Sequence, residues 1–145
     1  MANSLVQQGT LNRLKASVSL TNFPPLNVTS GYLAKEGIRL ALEGESTTIL
    51  QTLTGFVTSP EPYQVIRCTI HLIKAQALAN AWKLQMEANT LVGDFTVRPD
   101  ATPLSPYPGS NGAITGVDPM SFAGNEPGWV INVVGIYYIN SSLFN

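Results

Sequence analysis

The sequence predicts a mainly β domain carrying a single α-helix. Apolar and polar residues alternate at period two in four separate stretches. The period lengthens to about four in only one stretch, and clusters of proline and glycine fall between them. At 145 residues the chain has the size of one domain and can bury roughly two thirds of its unfolded surface. Residues 1–10 are polar without periodicity and read as an extended arm, leaving 11–145 as the folded unit.

Leu11–Thr21 alternates, with Leu14, Ala16, Val18 and Leu20 on one face and Arg13, Lys15, Ser17 and Ser19 on the other, so it predicts a half-buried strand. "NFPPLN" ends it, because two prolines cannot donate to a ladder. A second strand follows at Ile38–Glu43. The stretch from Gly44 to Ser59 is threonine-rich and apolar, with Ile49, Leu50, Leu53, Phe56 and Val57, and reads as a long extended loop. Exposed apolar surface costs about 25 cal/mol per Å², so this loop either folds back or is covered by a neighbouring subunit; we favour the neighbour.

Tyr63–Lys74 is a third strand, with Ile66, Cys68, Ile70 and Leu72 in one row and Val65, Arg67, Thr69 and His71 in the other. From Ala75, Leu78, Trp82 and Met86 recur every four residues, an amphipathic helix whose apolar face anchors to a sheet. "NTLVGD" closes it, with Gly93 suited to a left-handed cap. A short strand is expected at Phe95–Arg98, then a surface loop over "PDATPLSPYPGSNG", then short strands at Ile114–Val117 and Met120–Phe122. Trp129–Asn140 is the most apolar strand. Both its faces are largely apolar, so one needs the core and the other a helix or another subunit.

Charged residues make up only 12% of the chain, against about 25% in a typical soluble domain. So few charges favour a surface buried against other chains. The net charge is −1 and the basic residues are scattered singly, which disfavours tight nucleic-acid binding. The lone cysteine rules out an intrachain disulfide. The start has no basic segment followed by an apolar one, so no secretory signal is expected. The run "GWVINVVGIYYI" is too short to span a bilayer and carries Asn132, so no membrane anchor is expected.

Catalytic chemistry finds no motif. Cys68 and His71, the only residues of their kinds, fall on opposite faces of one strand and can share neither a proton nor a metal. There is no "G-x-S-x-G", no "G-x-x-x-x-G-K" and no "G-x-G-x-x-G". Glu43 and Glu45 would share a face, but two carboxylates on one strand read as a solvated edge rather than a glycosidase pair. No enzyme activity, cofactor or metal is expected.

Two segments carry a family resemblance: "LALEGESTTILQTLTGFVTSPEPYQVIRCTIHLIKAQALANAWKLQMEANTLVGDFTVRPD" and "MSFAGNEPGWVINVVGIYYINSSL". In these, and in the order of its elements, the chain resembles the tail tube proteins of contractile-tailed (myovirus-type) bacteriophages. The resemblance covers about Leu11 to Leu143. It implies an antiparallel β-sandwich closing toward a barrel with one flanking helix. It further implies hexameric rings stacked into the hollow inner tube of a phage tail, assembled in the bacterial cytoplasm and carried in the virion. The implied partners are the chain itself, a tail sheath protein, baseplate and tail-terminator proteins, a tape-measure protein in the lumen, and double-stranded DNA in passage.

Within that frame the expected inter-subunit and inter-ring contacts are Leu5 and Val6 of the arm and Ile49, Leu50, Leu53 and Phe56 of the 44–59 loop. A lumen wall must not hold DNA, so Ser17, Ser19, Glu43 and Glu45 are the channel-lining candidates. Arg13 and Lys15, on the row of the serines, fit this poorly. Related readings are the tube of another contractile injection system or a tube-initiating baseplate ring. A different class, a monomeric carbohydrate-binding β-sandwich, would use Trp129, Tyr137, Tyr138 or Tyr107 as stacking platforms.

Overall fold

A computed structural model describes residues 5–144 of the chain. The fold is mainly β with one helix, as the periodicities predict. The eight strands are β1 (Ser17–Leu20), β2 (Leu33–Glu43), β3 (Thr47–Gln51), β4 (Phe56–Pro60), β5 (Tyr63–Ile73), β6 (Leu91–Arg98), β7 (Tyr107–Val117) and β8 (Gly128–Tyr138), with helix α1 (Ala77–Ala88) between β5 and β6. Six strands form one antiparallel sheet in the order β1-β6-β7-β8-β5-β2, curled as a half-barrel. The remaining two, β3 and β4, pair only with each other. The core therefore has the curled sheet as one wall, and α1 with the Pro24–Val28 segment as the other. Among the described residues, no helix is long and apolar enough to cross a membrane.

Strand β5 organises the core. Ile66, Cys68, Ile70 and Leu72 are all fully buried, and the intervening Val65, Arg67, Thr69 and His71 stay half-exposed. Its partner β8 contributes Trp129, Ile131 and Val133 to the same side. Leu78, Ala79 and Trp82 of α1 pack onto that wall, while Asn80, Lys83 and Glu87 face outward, the last two as an ion pair at 2.7 Å. The helix begins two residues later than its periodicity suggests and is closed by Asn89, not Gly93. Asn89 leaves the helical conformation, and its side chain accepts the Leu91 amide at 3.0 Å, which starts β6 at once. Gly93 does take a left-handed conformation (φ 76°), but inside β6, where the register with β7 shifts.

The first strand is shorter than its alternation predicts. The Asn12 carboxamide accepts the Leu14 amide and the Asn12 carbonyl accepts that of Lys15, so Arg13–Lys15 turn rather than extend. Leu14 points to solvent, and Arg13 and Lys15 leave the row of the serines. Strand β2 begins earlier than predicted, at Leu33, and absorbs a register shift at Gly37.

The expected loop over Pro99–Gly112 is strand from Tyr107 onward. Gly109, Gly112 and Gly135 surround the Phe95 ring so closely that a Cβ on any of them would lie within 3 Å of a ring atom. These glycines are therefore packing positions in a sheet, not turn residues. Asn111, in a left-handed conformation (φ 54°), absorbs the extra residue of a bulge opposite β8. Met120–Phe122 is not a strand; it lies in the irregular 118–127 connection, where Lys74 donates to the Ser121 carbonyl and sits 5.5 Å from the Phe122 ring.

Candidate functional site

The stretch predicted as a long loop is a β-hairpin. Thr47–Gln51 pairs with Phe56–Pro60, and the turn is fixed by the Thr52 amide donating to the Gly55 carbonyl and the Gly55 amide donating to the Thr52 hydroxyl. Alternating Thr, Ile, Leu and Val suit a strand, and the Thr–Gly turn lets the two runs meet. Leu50 opposes Val57 on one face, and Ile49 and Phe56 lie on the other. Both faces of the hairpin are consequently apolar, and all four side chains are at least half-exposed. Leu53, at the tip, is 100% exposed.

The hairpin is aimed by its base. The Asn140 amide, just past β8 in a left-handed conformation, donates to the carbonyls of both Ser46 and Glu61 (3.3 and 2.8 Å), and the Glu61 amide donates to Ser46 (2.9 Å). An isolated two-stranded hairpin is marginal in water, and this clamp ties its base to the end of β8. Around the base lie Glu43, Glu45 and Glu61, beside a shallow pocket of about 380 Å³. Between Arg39 and Arg67 the sequence has no basic residue.

Leu5 and Val6 are exposed and lie outside any helix or strand, while residues 1–4 of the expected arm lie outside the described residues.

Register decides where the lining candidates fall. Directly paired residues share a face, and the path Ser19, Thr96, Pro108, Ile136, Val65, Glu43 crosses the sheet on the side away from α1. Ser17, Ser19 and Glu43 thus share the uncovered face, but on the two opposite edge strands of the curled sheet, β1 and β2. Glu45 lies beyond β2, in the bend leading to the hairpin. The uncovered face also carries Arg39, Arg67 and Arg98, which the alternation argument had not set beside the serines. Arg67 holds Glu43 at 2.5 Å, and Arg98 donates to the Ser19 hydroxyl. At its centre Thr69 donates to Asn132, which donates to Asp118, each at 2.9 Å.

The second face of β8 is half-exposed at Val130, Val134 and Ile136 and open at Tyr138. Trp129 needs no neighbour: it is only 6% exposed and belongs to the chain's own core. As a stacking platform it is out of reach, and Tyr107 and Tyr137 pack against each other with ring centroids 5.6 Å apart. Tyr138 remains open, across from Tyr63.

Both edges of the half-barrel can be followed. The short β1 is capped by Val28, which exchanges two backbone hydrogen bonds with Val18 (2.8 and 2.9 Å). The far edge of β2 pairs with no other strand among the described residues. Between these edges runs an open groove of about 960 Å³.

Cys68 and His71 do point to opposite faces. His71 Nδ1 lies 2.9 Å from the Gly37 carbonyl at the β2 register shift. Burial pushes the Cys68 thiol up from its ordinary 9.0 to about 12. Its proton is held in the folded chain between those values and lost in the unfolded one. The stabilisation is complete below pH 9 and is lost as pH rises toward 12. We expect no reaction with a thiol reagent at pH 8 until urea unfolds the chain, and a fall in urea midpoint between pH 9 and 12 that Cys68→Ala reduces. Rapid labelling of the native chain would contradict this.

No protein-family model matches the chain, and no curated protein matches it. What these surfaces can do therefore decides the functional reading.

Proposed function

We propose that this chain is a structural, non-catalytic subunit that assembles into stacked hexameric rings, the inner tail tube of a contractile bacteriophage tail. The tube is part of the virion, is assembled in the bacterial cytoplasm, and conducts double-stranded DNA on ejection. The observation that carries the reading is the hairpin at Thr47–Pro60: a clamped, projecting element with apolar side chains on both faces and a fully exposed leucine at its tip. A monomer gains nothing from such an element, whereas a neighbour that covers it recovers about 25 cal/mol per Å².

Two further features support the reading. The far edge of β2 is an unpaired row of backbone donors and acceptors, which joining to the next subunit would satisfy. The uncovered sheet face offers the wall of a channel. Such a wall would set Ser17, Ser19, Glu43 and the flanking Glu45 beside Arg39, Arg67 and Arg98; Glu43 pairs with Arg67, and the remaining arginines run against the non-binding wall expected from the sequence. Contacts that differ on the two partners propagate instead of closing, which suits stacking. In this reading the arm, with Leu5 and Val6, packs against the adjacent ring. The outer partners are a sheath protein, with baseplate and tail-terminator proteins at the ends and a tape-measure protein in the lumen.

The test is negative-stain microscopy of the purified chain over a wide concentration range. Stacked rings or long hollow filaments are expected at high concentration. A dispersed monomer under every condition would overturn the proposal.

A further inference from the structure

The groove between the two sheet edges and the hairpin are both open and partly apolar, and they differ in charge. The groove floor is formed by Ile38, Leu40 and Leu42 of β2, which point toward the core side, and by Val97, Leu104 and Tyr107 opposite. Leu14, 78% exposed, overhangs it. Its charged lining is Arg13, Lys35 and Arg98 against Glu36 and Asp100, a balance of three positive to two negative groups. The hairpin offers the complement. From Thr47 to Pro60 it has no charged residue, and its base bears Glu43, Glu45 and Glu61.

We infer that this groove is the receptor for the hairpin of a second copy of the chain. The uncharged tip enters among Leu14, Leu42 and Leu104, and Glu45 and Glu61 at the base, Glu43 being held by Arg67, meet Arg13 and Lys35 of the rim. Among the described residues the outer edges of β3 and β4 and the far edge of β2 pair with no other strand, so an inserted strand can extend the sheet by backbone hydrogen bonds as well as by apolar contact. The two surfaces are different parts of the same molecule. One copy can therefore give its hairpin and receive another's, and the contact repeats from copy to copy, within a ring or between rings according to the rotation it imposes. The inference rests on the self-assembly reading and adds the acceptor site to it. The arm is the competing occupant; residues 1–12 are uncharged and give the basic rim nothing to meet.

Cross-linking between single-cysteine variants tests it. Thr54→Cys at the hairpin tip and Leu104→Cys in the groove keep Leu53 and most of the groove, and Cys68 is buried and silent. Equal amounts of the two variants are assembled, treated with a short bis-maleimide and run on a denaturing gel, with assembly followed by microscopy. A covalent dimer is expected in the mixed sample, at least ten-fold above that from either variant alone. It should fall to background when Val130→Cys, on the uncovered sheet face, replaces Leu104→Cys. Filaments whose tip cysteine links to Val130→Cys or to a second tip, or whose groove cysteine links to Val6→Cys instead, overturn the groove assignment and leave the tube reading standing. Failure of wild-type and variants alike to assemble overturns both.

Discussion

Leu53→Asp is expected to abolish assembly while leaving the fold untouched. In the single chain Leu53 is fully exposed at the hairpin turn, so a carboxylate there meets only water. Surface changes of this kind alter stability by about 0.5 kcal/mol or less. In an assembly that buries the tip, the same carboxylate has lost its hydration without gaining a partner, which costs several kcal/mol at every contact. Because the contact repeats, the loss is felt along the whole array. The circular dichroism spectrum and thermal midpoint should match wild type, and micrographs should show dispersed particles at concentrations where the wild type forms filaments. Leu53→Ala should lie between, since losing about 2 kcal/mol of apolar burial raises the assembly concentration roughly thirty-fold. Unchanged filaments in the aspartate variant would remove the hairpin from the interface.

The largest effect on stability is expected at Phe95 and the glycines around it. Phe95 is 1% exposed, and an added Cβ at Gly109 would lie 2.4 Å from its ring. Gly109→Ala therefore has to displace the ring or the β6–β7 pairing, at a cost of about 1–3 kcal/mol. Phe95→Ala removes the ring and leaves a cavity, costing about 3–5 kcal/mol of a total that is typically about 5–15. The two losses should not add. Once the ring is gone the new methyl group has room, so the double variant should be no less stable than Phe95→Ala alone. Urea unfolding of the four proteins gives the cycle. Strict additivity would mean that the glycines serve the backbone and not the ring.

These two cases mark where residue patterns suffice and where they do not. Period-two alternation placed β5, and a continuous apolar run placed β8, almost to the residue, because each runs through the interior of the sheet with one face on the core. The helix was equally legible, since Leu78 and Trp82 stand one turn apart on a face that must be covered. Alternation failed at β1, where the Asn12 side chain offers the backbone a turn that periodicity cannot register. It failed again over residues 107–112, the first half of β7, although Ile114–Val117 was read correctly as strand. There "PYPGSNG" has the composition of a loop, and the signal for strand lies in Phe95, eleven to seventeen residues away, whose ring requires Cβ-free neighbours. The same blindness applied to the 44–59 segment. Its apolar residues were visible, but a hairpin is defined by pairing, and no single strand announces its partner.

Composition and periodicity by themselves determined the class of the fold, the helix, the residues of the central strands, and the separation of Cys68 from His71. Each of these follows from local geometry, the two-residue repeat of a strand or the turn of a helix, acting on one segment at a time. Only the tertiary structure decided that the apolar 44–59 segment stands out as a clamped hairpin and that Trp129 is enclosed by its own chain. It also decided that Ser17, Ser19 and Glu43 share a face with three arginines. Those facts depend on which strand lies beside which and in what register, and such long-range pairing is chosen by the sum of many weak contacts across the sheet rather than by any one stretch of residues.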